Sequence, residues 1–445
     1  MSGLLGNLRS PHRKNTASMP AVKLNPTGDI LLPMSQHIGA PATPVVKAGD
    51  SVKVGQKIAE ANGPVSSPIY ASVSGKVLKI EPYLRPNGQT VDAIRIAPDG
   101  EMTPAEEIVP PEIVDMESFL LAIRESGIVG LGGAGFPASV KLAAQKNGKI
   151  DTVILNGSEC EPYITSDTRA MIDGAEWIYK GVLLLKQHLG IEKYIIGVED
   201  NKPECIRKMK EVFASAEGVE VVTLPSKYPQ GAEKVIIYNT TKRVVPEGKL
   251  PADVGVLVVN VSSVLALAQY IETGMPLVSR VVTVDGDAIK NPQNVEVPIG
   301  TSAQELIAFC GGFVNEEDVG KVLYGGPMMG ACLATLAEPV LKTTGAILAF
   351  TKKTSKMQEP TACIHCGRCV SACPLDLDPT TFSAALAYGD KEQRVQILQD
   401  AHIGLCMECG CCSYVCPAKR PLVQNNRLGK AEVRDYLAHQ ATLKK

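Results

Sequence analysis

The stretch CIHCGRCVSACP, Cys363 to Pro374, is matched in spacing by CMECGCCSYVCP, Cys406 to Pro417. Both read C-x2-C-x2-C-x3-C-P. The first three thiolates of such a run cup one face of an iron–sulfide cubane, while the fourth, carried onto the following helix and closed by proline, points toward the other cluster. The spacing predicts two [4Fe–4S] clusters with crossed fourth ligands: one on Cys363, Cys366, Cys369 and Cys416, the other on Cys406, Cys409, Cys412 and Cys373. Zinc also uses paired C-x2-C motifs, but seldom two identical four-cysteine runs each ending in proline. Cys411 lies between two ligands and reads as a spare buried thiol. Cys160, Cys205, Cys310 and Cys332 are scattered and read as small core hydrophobes. The C-terminal part is therefore a helical double-cluster domain, and the chain an electron-transfer protein.

The rest of the chain is long enough for several more cores. It has 445 residues, 45% of them hydrophobic, which predicts a multidomain globular protein. Lys+Arg (45) and Asp+Glu (47) nearly cancel without basic or acidic blocks, which argues against nucleic acid as a partner. The opening MSGLLGNLRSPHRKN lacks the apolar core of a secretory signal. The most apolar stretch, Val254 to Ile271, is interrupted by Asn260, Ser262, Ser263 and Gln269 and reads as a buried strand, turn and helix, not a membrane span. Thirteen cysteines in a large chain without a signal, eight of them at cluster spacing, point to a reducing compartment, the cytoplasm.

Working back from the clusters, six segments are expected. Residues 1–28 form a polar lead-in. Residues 29–110 read as short strands with Gly and Asp at the corners, resembling the barrel-sandwich fold of biotinyl and lipoyl carriers. The carrier hairpin tip here reads Glu60-Ala61-Asn62-Gly63-Pro64, without lysine, so a structural role is expected rather than a swinging arm. Residues 111–275 alternate helical stretches with the apolar runs DTVILN, KYIIGVED, VEVVTL and VGVLVVNV, the signature of strands buried in an α/β sheet. Residues 276–350 return to strands and one helix, resembling the β-grasp (SLBB-like) module. The cluster domain spans 351–421, and a charged helical tail spans 422–445.

Gly130-Leu-Gly132-Gly133-Ala-Gly135 matches G-x-G-x-x-G. A Rossmann loop follows a strand, whereas ESFLLAIRESGIV before it has helical spacing, and Asn156 stands where the acidic residue is expected. The reading that survives is a glycine-rich loop feeding a helix that starts near Pro137, whose amides and dipole suit a phosphate, with Lys141 one turn in. The strand TVILN then delivers Asn156, Glu159 and Glu161 to its C-terminal end, where α/β folds bind ligands. Loop carboxylates are as often merely solvated. Two positions apart, Glu159 and Glu161 point to opposite sides if the strand continues.

GLGGAGFPASVK, NGSECEPYITSDTRAM, YPQGAEKVI and VVNVSSV resemble, in order, the flavin and NADH site of the NADH-oxidising subunit of respiratory complex I. From SQHIGAPA to the twin cysteine motif, the whole chain resembles the RnfC family, NADH-binding subunits of ion-translocating Rnf complexes. The resemblance implies a complex I-type FMN/NADH-binding α/β domain. In it Gly130, Gly132, Gly133 and Lys141 hold the FMN phosphate and ribityl chain, Asn156 and Glu159 hydrogen-bond the flavin, and Asn260 lines the ring. It implies that Phe136 stacks on nicotinamide or adenine, that Glu161 binds the nucleotide, and that Tyr228, Gly231 and Glu233 complete the pocket. Ser158 and Ala232 depart from the complex I pattern, which has Asp and Glu there, and Lys249 is only a loose match to a nucleotide-contacting lysine. No side chain need act as nucleophile or general acid, because the reacting atoms belong to cofactors. The implied partners are NAD(H), the multi-cluster ferredoxin-like subunit and the membrane subunits of an Rnf complex, with this chain peripheral on the cytoplasmic face. Two other readings stand beside it: a soluble cobalamin reductase of microcompartments, and a relay adaptor without flavin.

Overall fold

The computed structural model describes residues 8–85 and 88–443. The start of the lead-in and the last two residues of the tail lie outside that range.

The lead-in contributes β1 (Val22–Lys23), which pairs in parallel with a strand almost three hundred residues on. The barrel-sandwich unit follows: β2 (Ile30–Pro33), β3 (Thr43–Pro44), β4 (Ser51–Val52), β5 (Lys57–Glu60), β6 (Ile69–Tyr70), β7 (Gly75–Leu84) and β8 (Thr90–Pro98). They form two sheets, β2-β8-β7-β4 and β3-β5-β6, around Ile30, Leu32, Ile58, Ile69, Val77 and Ile94. The tip that presents lysine in carriers is docked here, since Arg124 donates to the Gly63 carbonyl at 2.9 Å.

The next unit holds α1 (Met116–Glu125), α2 (Ala138–Ala143), β9 (Thr152–Gly157), α3 (Ser166–Asp173), α4 (Ala175–Leu189), β10 (Lys193–Glu199), α5 (Pro203–Val212), β11 (Val219–Leu224), α6 (Glu233–Thr241), β12 (Val256–Asn260) and α7 (Val261–Thr273). The four apolar runs become four parallel strands in the order β11-β10-β9-β12. Buried on both faces, such strands read as continuous apolar runs without alternation. One face packs against α1, α4, α5 and α7 through Phe119, Ile178, Val182, Val153 and Leu257. The other packs against α6 through Ile236, Ile237, Ile154 and Ile195. Sequence order reverses between β9 and β12, so a crevice opens there, at the C-terminal ends marked by the register pair Asn156 and Asn260. The Val254 to Ile271 stretch needs no turn: Asn260 ends β12 and caps α7 directly, accepting from the Ser262 and Ser263 amides at 2.9 and 3.3 Å.

The β-grasp part comprises β13 (Ser279–Asp285), β14 (Gln293–Pro298), α8 (Ala303–Phe309), β15 (Val319–Tyr324), β16 (Ala331–Cys332) and β17 (Ala346–Thr351). These strands and β1 form one six-stranded sheet, β1-β14-β13-β17-β15-β16. The last part is helical: α9 (Arg368–Ser371), α10 (Pro379–Ala385), α11 (Lys391–Asp400), α12 (Cys411–Val415) and α13 (Leu422–Leu443). No helix among the described residues is long and apolar enough to cross a membrane.

Candidate functional site

The glycine loop closes on itself through the Gly130 amide and the Phe136 carbonyl, 2.9 Å apart. It is pinned at Leu131, whose amide donates to Ser263 Oγ at 3.0 Å and whose carbonyl accepts from Arg280 Nη1 at 3.0 Å. Gly135 has φ +70°, a conformation glycine adopts without strain. The segment between is exposed, and the amides of Gly132, Gly133 and Ala134 have no hydrogen-bond partner among the described residues. Gly132 lies against Asn260 so closely that a Cβ there would stand 2.5 Å from Nδ2.

Around the crevice, Lys141 Nζ sits 2.7 Å from Glu233 Oε1 and 3.0 Å from the Val258 carbonyl, drawing α2, α6 and β12 together. Asn156 Nδ2 donates to the Gly231 carbonyl at 2.8 Å, and its Oδ1 accepts from the Ser158 amide at 3.0 Å. Asn260 Nδ2 donates to Asp167 Oδ2 at 2.7 Å, and Ser262 Oγ to Asp167 Oδ1 at 2.5 Å. The structure thus gathers Gly130, Gly132, Gly133, Lys141, Asn156, Gly231, Glu233 and Asn260 about one switch point, with Phe136 half-buried in the loop beside it. Ser158 Oγ reaches the Gly197 carbonyl at 3.3 Å, and Ala232 is the N-cap of α6 without a side-chain cap. Lys249 is exposed.

Glu159 and Glu161 do diverge, but both carboxylates are spent on the protein. Glu159 Oε1 accepts from the Asp167 amide at 2.7 Å and Oε2 from Thr168 Oγ1 at 2.8 Å, so it caps α3. Glu161 accepts from the Met328 and Met329 amides at 3.1 and 2.9 Å. Burial pushes both carboxyls up, opposed by Lys14 at Glu159 and by the two amides at Glu161. Tyr228, expected in the pocket, is 2% exposed; its hydroxyl donates to the Cys409 carbonyl at 2.8 Å and lies 3.3 Å from Glu161 Oε1.

The cysteines collect in two cavities. One is lined by Cys373, Cys406, Cys409 and Cys412, and also by Cys411, with Asn426, Phe382 and Leu377; the other by Cys363, Cys366, Cys369 and Cys416 with Thr380, Arg420 and Leu422. The two loops repeat each other's backbone: φ is positive at His365, Gly367 and Asp376, and again at Glu408, Gly410 and Lys419. Those turns aim three thiols inward in each run. The Asn426 amide lies 3.5 Å from Cys406 Sγ and the His365 amide 3.4 Å from Cys363 Sγ, donors of the kind that stabilise cluster sulfur. The four thiols at cluster spacing in each cavity, an otherwise mostly apolar lining and N–H donors on sulfur fit a cubane, with Cys411 a fifth thiol beside the first set. Cys411 is buried and Cys205 and Cys310 lie in cores, but Cys332 is exposed on β16, a two-residue strand at the sheet edge. Cys160 also does more than fill space, accepting from the Gly231 amide at 3.3 Å.

Sequence reasoning missed Lys14, Asp167 and Arg280. Lys14 donates to the carbonyls of Glu159, Glu161 and Ile164 at 2.7, 2.8 and 2.6 Å, fixing the loop beside the crevice from the lead-in. Nothing periodic marks it. Asp167 lies within the ITSDTR stretch, where a carboxylate opening a helix was the available signal.

Residues 4–101 match the model of the RnfC barrel sandwich hybrid domain. A chain from Acetobacterium woodii, named as a subunit of the Na(+)-translocating ferredoxin:NAD(+) oxidoreductase complex, is 45% identical over 382 residues, 85% of this chain and 86% of that one. The chain belongs to the RnfC family. A second RnfC-family relative, from Clostridium ljungdahlii and named for the proton-translocating ferredoxin:NAD(+) oxidoreductase complex, is 44% identical over 426 residues, covering 95% and 92% of the two chains. Other models matched are the Nuo51 FMN-binding domain (123–269), the SLBB domain (281–331) and a 4Fe-4S dicluster domain (359–420). This RnfC-family chain is therefore an electron-transfer oxidoreductase subunit with an FMN-binding domain and [4Fe–4S] clusters. The fold is shared with a chain of an NAD+-reducing [NiFe]-hydrogenase in the air-oxidized state, at TM-score 0.52 and 21% identity over 74% of this chain and 63% of that one. The leading RnfC domain disfavours the microcompartment-reductase reading, and the FMN-binding domain disfavours the flavin-free one.

Proposed function

We propose that this chain is the NAD(H)-binding subunit of a ferredoxin:NAD+ oxidoreductase complex, in which other subunits couple the electron flow to Na+ or proton movement. One observation carries the reading: the loop that borders the switch-point crevice also touches a cysteine-lined cavity, through Tyr228 and the Cys409 carbonyl. NAD(H) moves two electrons together and a cubane one, so flavin chemistry between them is the required converter.

On this reading the free amides of Gly132, Gly133 and Ala134 receive the FMN phosphate, with Gly130 and Gly135 setting the loop and Lys141 supplying a cation. Asn156 and Asn260, held by the Gly231 carbonyl and Asp167, orient the flavin ring. Phe136 offers a face to the nicotinamide or adenine, and Glu233 the charged rim. Glu159 and Glu161 shape the crevice by fixing α3 and the 326–329 turn, rather than by touching nucleotide. Cys363, Cys366, Cys369 and Cys416 bind one cluster; Cys373, Cys406, Cys409 and Cys412 bind the other. The proposed unit limits are 1–28, 29–110, 111–275, 276–350, 351–421 and 422–445; the matched models at 123–269, 281–331 and 359–420 each fall within one of these units, whereas the barrel-sandwich model at 4–101 joins the first two. The proposed position is peripheral, on the cytoplasmic face, against the multi-cluster ferredoxin-like and membrane subunits.

The test is anaerobic purification followed by iron, acid-labile sulfide and flavin analysis, with NADH-driven reduction of an artificial one-electron acceptor. Iron and sulfide for two cubanes, stoichiometric FMN and NADH-dependent turnover are expected. Full iron without flavin, or flavin that NADH does not reduce, overturns the reading.

A further inference from the structure

We infer that Tyr228 is a positioning residue that couples the flavin-binding domain to the cluster cavity of Cys373, Cys406, Cys409 and Cys412; this rests on the function proposed above. Tyr228 lies between β11 and α6, on the flavin-binding unit, yet its surroundings come from four parts of the chain. Its amide donates to the Leu8 carbonyl at 2.8 Å, tying in the lead-in. Its hydroxyl donates to the Cys409 carbonyl at 2.8 Å and lies 3.3 Å from Glu161 Oε1. A phenol has one proton, and the shorter distance directs it to the cluster loop.

Glu161 is itself held by the Met328 and Met329 amides of the β-grasp turn. That turn abuts the same cluster loop, for a Cβ on Gly410 would stand 2.8 Å from the Met328 carbonyl. One phenol therefore stands where the flavin loop, the β-grasp turn and the cluster loop meet. The junction is otherwise apolar: Leu8, Ala372, Cys409 and Cys411 are buried around the ring, with Met328 and Met407 against it. In such surroundings a lone hydroxyl bond is costly to break, since no water replaces the lost partner. The bond thus fixes the peptide next to a cluster ligand and holds the two redox sites in register, and its donor dipole favours the reduced cluster.

Tyr228→Phe keeps the ring and removes only the bond. Expected are unchanged iron, sulfide and FMN content and an unchanged rate of flavin reduction by NADH in stopped flow. Transfer from flavin to cluster should slow on the order of tenfold, the size of one lost hydrogen bond. In a chemical titration followed by electron paramagnetic resonance, the midpoint of one cluster should fall while the other is unmoved. An unchanged transfer rate with both midpoints unmoved overturns the inference, as does loss of FMN, which would put the hydroxyl in the flavin pocket. Packing alone would lower stability without moving one midpoint selectively. The midpoints are set by chemical reductants without NADH, so a wild-type chain that NADH fails to reduce refutes the functional reading and leaves the Tyr228 test intact. Tyr228→Leu, which removes the ring as well, should show the same selective midpoint shift with lower thermal stability.

Discussion

Replacing Gly132 by alanine puts a methyl 2.5 Å from Asn260 Nδ2 and 3.0 Å from its Cγ. Something must move, and the loop is pinned one residue earlier by Ser263 and Arg280. Asn260 is the softer side. Turning it away breaks its 2.7 Å bond to Asp167, a hydrogen bond to a charged group worth roughly 1.5–3 kcal/mol. It also loosens the cap on α7, worth about 1 kcal/mol. The sum, about 2.5–4 kcal/mol, is an upper bound on the loss in flavin binding and corresponds to roughly a hundredfold to a thousandfold weaker FMN. The assay is FMN titration of flavin-stripped protein by fluorescence quenching, beside iron analysis and cluster spectra. Weakened FMN with both clusters intact is expected. Affinity within about twofold of wild type would show that the Gly132–Asn260 contact is irrelevant to the flavin, and loss of iron together with flavin would show general misfolding; either refutes the reasoning.

Cys373→Ala should damage the cluster of Cys406, Cys409 and Cys412 and spare the other, read by electron paramagnetic resonance; the opposite selectivity would exclude the crossed assignment. Lys141→Met should weaken FMN by roughly tenfold to a hundredfold, the loss of one charge-assisted contact, and an unchanged dissociation constant would remove Lys141 from the phosphate site. Lys342 is buried with only neutral acceptors, donating to the Pro68 and Gly127 carbonyls at 2.7 Å each, and burial lowers its pKa from 10.5 to about 7. Between those values the unfolded chain binds a proton that the folded chain does not, so stability should rise with pH from about 7 to 10.5. Denaturant melts at pH 7 and pH 9 should show that rise in wild type and a smaller one in Lys342→Met; equal slopes would mean the residue does not titrate there.

The four parallel strands were legible because each is an apolar run of strand length, and the cysteine cavities because ligand spacing is local. The glycine loop was legible as an anion cradle for the same reason, since its use depends on backbone within six residues. What the sequence hides is the partner of a side chain when that partner is far away. Alternation put Glu159 and Glu161 on opposite sides, yet nothing near Glu161 announces the Met328 amide, 167 residues on. Lys14 sits in a polar segment without periodicity, so neither pattern nor propensity points to three carbonyls of the crevice loop. Cys332 shows the converse limit: in ACLATL, Ala331 to Leu336, the two leucines pack on the β-grasp core while Cys332 stays exposed, so an apolar neighbourhood in sequence does not settle which side chain turns inward.

The lead-in has a kinetic meaning as well. Asn294 bonds the Thr16 carbonyl across 278 residues, and Lys14 reaches Glu159 across 145. The lead-in is thus among the last of the described segments to find its place, since it waits for the β-grasp sheet whose edge it completes. Contacts of such separation raise the contact order and slow folding, and an uncovered sheet edge is exposed to foreign strands meanwhile. A label or tag joined directly to the lead-in would therefore be carried into that late step beside the crevice.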